Sequence, residues 1–309
     1  MTAAQYEKNL TVPVGAVDVV LDTDAYNETD DQFAIAYLLG KGQKLNVCGI
    51  CAAPFHNRKV SGPREGMEQS FDEIHRLLRL MGREEAAPLV YRGSTAFLAD
   101  EQTPVVSPAA QFLVEQARKH SPEMPLYIIA IGAITNVASA FLLEPAVAEN
   151  CVVIWLGGHA LHMPEPGTEF NLRQDVAAAR VVFGSGVPLV MLPCRGVVDR
   201  FATSKYELEH WLQGKNALCD YLCRRATEVA EEYAAGKPWT RVIWDVTAVA
   251  WLLNEDERFL RQRQISCPMP GYDGQYENGK DGRSIQYVYQ VFRDELFADL
   301  FETLGGYTV

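Results

Sequence analysis

Six short apolar runs, at 17–22, 45–53, 88–91, 125–131, 151–156 and 187–192, alternate with longer stretches of helical spacing at 31–40, 65–81, 107–119, 135–143 and 173–183. The runs are rich in Val, Ile and Leu on both faces of an extended chain, as strands covered by helices on each side require. Repeated strand–helix units predict an α/β fold with an open, doubly wound, mostly parallel sheet flanked by helices.

After about residue 200 the pattern changes. Residues 204–236 read as two helices split near Gly214, and a further helix begins near Asp245 in "WDVTAVAWLL". A Gly- and Asp-rich turn region, "MPGYDGQYENGKDGRS", precedes an alternating strand, "IQYVYQVF", and a closing amphipathic helix, "RDELFADLFETL". With no internal repeat and no linker, residues 1–309 are expected to form one domain with a helical C-terminal part.

Charge narrows the partners. The formal net charge is −12 over 309 residues, so neither a nucleic acid nor an anionic membrane surface is an expected partner. The N-terminus lacks a basic start followed by an apolar core of signal-peptide length. The seven cysteines are scattered, which suggests reduced thiols and a cytoplasmic home. Cys48 and Cys51 form a C-x-x-C without a following helix start, and Cys219 and Cys223 share one helix face, so both pairs read as packing residues.

The most unusual stretch is "VDVVLDTDAYNETDDQFAIAYLLG", residues 17–40. Asp22, Asp24, Glu28, Asp30 and Asp31 crowd the end of the first strand with no Lys or Arg among them. Ligands of open α/β sheets bind beyond the carboxyl ends of strands. Adjacent carboxylates there need protonation, a salt bridge or a shared cation, and a hard divalent ion is the simplest answer. An EF-hand does not fit: counted from Asp22, position six is Asn27 rather than Gly and position twelve is Phe33 rather than Glu. "DTD" also resembles the nucleophile motif of haloacid-dehalogenase-type phosphatases, but the Ser/Thr, Lys and second acidic pair that chemistry needs have no convincing place.

A third resemblance covers more of the chain. "DTDAYNETDD" is similar to the D-x-D-P-G-x-D-D signature of the inosine–uridine nucleoside hydrolases, with a loop two residues longer and no Pro-Gly turn. "AIGAITNVASAFLLEP" (130–145), "GTEFNLRQDVAAARVVF" (167–183) and "VIWDVTAVAWL" (242–252) resemble three further segments of that family, in family order. The resemblance implies a Ca²⁺ held by Asp24, Asp31, Asp245 and the backbone carbonyl of Ile131. It implies a supporting role for Asp22 behind the ligands, and Asp30, Glu169 and Asn171 as ribose binders. Glu169 and Asn171 can also be read as helix capping residues.

The implied reaction splits the N-glycosidic bond of a ribonucleoside or related ribosyl compound with a metal-activated water, Asp24 taking its proton. A homodimer or homotetramer is expected by the same resemblance. The match fails where the family recognises the base. Members carry His before the late metal-binding Asp, as proton donor to the leaving base, and here that position is Trp244, which could stack on a base instead. The family's His-Gly-x-x-Gly-like segment has no counterpart, and only Pro164 or Glu165 lies near the position of another family Asn.

"APFHNRK" (53–59) offers Asn57 as a substrate contact, and His56, His159 and His162 are candidate leaving-group acids. Arg58, Arg64 and Arg241 could meet an anionic substituent on the aglycone, with Trp239 beside Arg241. The alternative function is a catalytically weak Ca²⁺-dependent ribosyl- or polyol-binding protein of the same fold. The leaving base itself is not specified by the sequence.

Overall fold

The computed structural model describes residues 1–234, 236–279 and 282–307. Its centre is an eight-stranded sheet. The first six strands are β1 (Val17–Thr23), β2 (Leu45–Ala52), β3 (Val90–Arg92), β4 (Leu126–Ala130), β5 (Cys151–Leu156) and β6 (Leu189–Leu192). They lie parallel in the order β3-β2-β1-β4-β5-β6. Ser284–Val291 continues the sheet parallel to β6, and Leu260–Ser266 closes it as an antiparallel edge.

Helices α1 (Ala3–Asn9), α2 (Asp30–Gly40), α3 (Pro63–Leu80), α4 (Pro108–Ala117), α5 (Thr135–Leu143), α6 (Phe170–Gln174) and α7 (Val176–Gly184) precede the C-terminal set. That set is α8 (Lys205–Trp211), α9 (Ala217–Ala234), α10 (Val246–Leu252) and α11 (Arg293–Gly305). Two apolar clusters fill the two faces of the sheet. Val19 and Leu21 of β1 point into one with α2, α3, α9, α10 and α11, whereas Val20 points into the other with α4, α5 and α7. Helix α2 is buried all round from Asp30 to Leu39, which explains its near-continuous apolar sequence.

Chain direction locates the crevice. From β1 the sheet grows outward through β2 and β3, then returns to the other side of β1 with β4. The topological switch therefore lies between β1 and β4, where ligands of such sheets bind. The register sets Asp22 opposite Ala130, which places the acidic loop beside Ile131.

Several boundaries differ from the sequence expectations. Residues 84–89 form a 3-10 helix containing Pro88, so the third strand begins only at Val90. The helix expected at 173–183 is broken at Asp175, whose carboxylate caps α7 by accepting from Ala178 N–H at 2.9 Å. Strand Leu260–Ser266 was not expected; as an edge strand it carries polar side chains instead of an apolar run. Part of the turn region at 269–284 pairs with preceding chain as a small ribbon, Pro268–Pro270 against Tyr276–Asn278, while residues 280 and 281 lie outside the described residues.

Candidate active site

A cavity of about 420 Å³ opens at the switch point, over the carboxyl ends of β1, β4, β5 and β6. Asp24, Asp30, Asp31, Ile131, His159, Glu169, Asn171, Trp244 and Asp245 all line it. The acidic loop follows β1, and Asp30 and Asp31 form the first turn of α2, whose positive dipole end favours carboxylates. Asp245 precedes α10 but makes no capping bond with its side chain, which instead faces the other acids.

Asp31 lies between Asp24 and Asp245, within hydrogen-bonding reach of both, and accepts from Thr23 Oγ1 at 2.5 Å. One oxygen each of Asp30, Asp31 and Asp245 falls within a 4.8 Å group. Burial, then mutual repulsion, holds Asp24, Asp30 and Asp245 well above the ordinary carboxylate range. Burial pushes Asp31 to about 6. Asp24 Oδ2 and Asp30 Oδ1 are buried and make no hydrogen bond. Buried, crowded, all-oxygen donors with unsatisfied lone pairs are the donor set a hard divalent ion takes, so these residues fit one.

Asp22 lies behind the cavity wall. Asn136 Nδ2 donates to its Oδ1 at 2.7 Å, and the same amide reaches Ala52 O and accepts from Ser94 N–H and Oγ. Burial raises Asp22 to about 7 despite that bond. The local absence of cations in the acidic loop is relieved from afar: Arg241 pairs closely with Glu28, 213 residues away, and its guanidinium stops 3.9 Å from Asp30.

Glu169 and Asn171 serve the fold as well as the cavity. Glu169 caps α6, accepting from the N–H groups of Asn171, Leu172 and Gly158 at 2.9, 3.0 and 2.9 Å. Asn171 Nδ2 donates to Ile131 O at 3.1 Å and Leu156 O at 3.0 Å, tying the ends of β4 and β5 together. Ile131 O keeps a second lone pair.

The other expected contacts are not in the cavity lining. The Asn57 amide donates to Asn27 Oδ1 at 2.8 Å, so Asn57 sits one residue behind the wall. His56 is exposed and its backbone N–H is held by Gln174. His162 is exposed beside Gly196. Arg58 pairs with Glu232 at 3.0 Å, and Arg64 and Trp239 lie outside the lining.

Of the three candidate histidines His159 alone faces the cavity. Burial and the neighbouring Arg195 lower its basicity. Its Nδ1 faces the backbone N–H of Arg195 at 3.3 Å, which leaves Nε2 as the hydrogen donor of a neutral ring. Sequence reasoning missed Arg173, Cys194 and Arg195 in the lining. No local pattern singles them out; they arrive through the β6 end and the first turn of α6.

The model of the inosine-uridine preferring nucleoside hydrolase family matches residues 19–281, and the chain belongs to that family. An uncharacterized protein of Schizosaccharomyces pombe is 25% identical over 213 residues, 64% of this chain and 66% of that protein. A probable ribonucleoside hydrolase of Dictyostelium discoideum is 35% identical over 98 residues, 30% of this chain and 29% of its own length. These matches thus span less than two thirds of either relative. Among solved structures, a plant nucleoside hydrolase superposes with a TM-score of 0.73 at 19% identity, covering 94% of this chain and 99% of that one. The fold is shared along nearly the whole length.

Proposed function

We propose that the protein is a Ca²⁺-dependent N-ribohydrolase that cleaves the N-glycosidic bond of a ribonucleoside or related small ribosyl compound. The observation that carries this reading is the convergence of Asp24, Asp31 and Asp245 on one cavity at the switch point, with buried carboxylate oxygens left unpaired. Asp24, Asp31, Asp245 and the Ile131 carbonyl would hold the ion, with Asp30 facing both the ion and a sugar hydroxyl. When bound, such an ion supplies Lewis acidity to its oxygen ligands and a fixed anchor for a vicinal diol.

Asp24 takes the proton of the attacking water through the oxygen that no hydrogen bond occupies. The surrounding carboxylates stabilise the sugar as it gains oxocarbenium character. Glu169 and Asn171 hold the sugar; because the Asn171 Nδ2 is committed to two carbonyls, its Oδ1 is the atom left for a hydroxyl. Trp244 stacks on the departing group, and His159 donates to substrate from Nε2. Asp22 steadies the loop from behind. The same reading makes the protein a homodimer or homotetramer in a reducing cytoplasm, where its free cysteines stay thiols.

A weakly catalytic ribosyl-binding protein is the second reading, favoured by Trp244 in the position of the family's acid. Reducing-sugar release across a nucleoside panel, with and without chelator, decides between them. Chelator-sensitive release of ribose supports the hydrolase. No release from any compound, with Ca²⁺-dependent quenching of Trp fluorescence by ribose, supports the binding protein.

A further inference from the structure

The cavity lining carries basic as well as acidic side chains. Asp24, Asp30, Asp31 and Asp245 reach it from the end of β1, the start of α2 and the start of α10, whereas Arg173 reaches it from α6, Arg195 from the loop after β6 and His159 from the loop after β5. Arg173 N–H donates to Glu169 O at 2.9 Å, and the Arg173 guanidinium lies 5.4 Å from the Phe170 ring centre. Arg195 follows Cys194, whose thiol contacts Glu169. Its backbone is fixed on the loop after β5: Cys194 N–H donates to Gly158 O, and Arg195 O accepts from Ala160 N–H, both at 2.9 Å.

Neither guanidinium has a carboxylate partner among the described residues, although acids line the same cavity. Arg241, by contrast, is paired with Glu28. Two guanidiniums and an imidazole N–H facing one space, unpaired, make a set of donors suited to a phosphate.

We propose that Arg173, Arg195 and His159 form an anion subsite, and that the ribosyl compound accepted here carries a phosphate on the exocyclic carbon of its sugar. This inference rests on the assignment of Glu169 and Asn171 to the sugar. With the diol edge turned to the aspartates, the opposite edge of the furanose presents its exocyclic carbon to the Glu169 wall. Trp244 is assigned to the aglycone, which leaves the two arginines to the exocyclic end of the sugar. A carboxylate on the base offers the same chemistry in the wrong place.

The test is calorimetric binding to the Ca²⁺-supplemented 309-residue chain, which needs no turnover. The probes are ribose, ribose 5-phosphate, inorganic phosphate, and a nucleoside with or without a carboxylate on its base. Charge-assisted hydrogen bonds predict that ribose 5-phosphate binds about tenfold or more tightly than ribose. Inorganic phosphate competes with ribose 5-phosphate, and the advantage disappears in the double variant Arg173→Gln/Arg195→Gln. Both side chains are exposed, and circular dichroism verifies that the variant is folded. Arg173→Lys/Arg195→Lys keeps part of the advantage.

Ribose 5-phosphate binding no tighter than ribose, including no measurable binding of either, overturns the subsite. So does an advantage that survives the double Gln variant. A gain confined to the base carboxylate overturns the sugar assignment. Failure of the hydrolase reading is separate: it is absence of sugar release from nucleosides and from their 5′-monophosphates alike, with this binding preference intact.

Discussion

Asn171 donates to the carbonyl of Ile131 at 3.1 Å, so the residue expected to hold the sugar also holds the backbone oxygen expected to face the ion. The same amide binds Leu156 O at 3.0 Å, and one side chain thus fixes the mouths of β4 and β5. Replacing Asn171 with Leu leaves two buried carbonyls short of a donor. Unfolding in urea should show a loss of about 1–3 kcal/mol, and Ca²⁺ affinity should fall with it.

Asp24→Asn separates chemistry from stability. Activity should drop by about 10²–10⁴, the range for removing a general base. In chelator the same variant should melt higher, because one of several mutually repelling buried acids is gone. A rise of roughly 2 °C corresponds to about 1 kcal/mol in a chain of this size. Calorimetric melting with and without Ca²⁺ measures both signs.

The buried acids also predict a pH trend for the ion-free protein. Asp22 and Asp31 move from an ordinary 3.8 to about 7 and about 6 in the folded state. Between those values the native state holds more protons than the unfolded chain, so stability falls as pH rises through the window. The loss from about pH 5 to about pH 8 should be on the order of a few kcal/mol in chelator. Saturating Ca²⁺ should flatten it, because the ion stabilises the ionised forms.

Trp244→His restores an imidazole next to Asp245. If the aglycone side lacks only a proton donor, cleavage of nucleosides with poor leaving bases should rise by about tenfold or more. Single-turnover rates across bases of graded acidity measure this, with the largest gain for the least acidic base.

The alternation of apolar runs and helical segments made the sheet legible before any coordinates, because parallel strands buried on both faces have that composition. The acidic cluster was legible for a different reason. Like charges at a strand end cost stability, so their presence in "DTDAYNETDD" signals a ligand. Asp245, alone at the start of a strongly apolar helix, was legible only through the resemblance of "VIWDVTAVAWL" to a family segment.

What escaped depends on long-range placement. Glu28 and Arg241 meet across 213 residues, and nothing near either announces the other. His56 and Asn57 follow a strand end yet stay out of the cavity, because Gln174 and Asn27 hold that loop aside. The break at Asp175 was hidden because helical spacing continues across it; its carboxylate also accepts from Thr135 Oγ1 and Leu98 N–H, bonds no periodicity reveals.

Titration of Ca²⁺ into chelator-treated protein, followed by calorimetry, addresses the cradle itself. The wild-type chain should bind one ion per protomer, and Asp31→Asn and Asp245→Asn should each abolish that binding or weaken it by orders of magnitude. No heat from the wild-type chain, or unchanged binding in both variants, would contradict an ion held among these aspartates and the hydrolytic reading built on it.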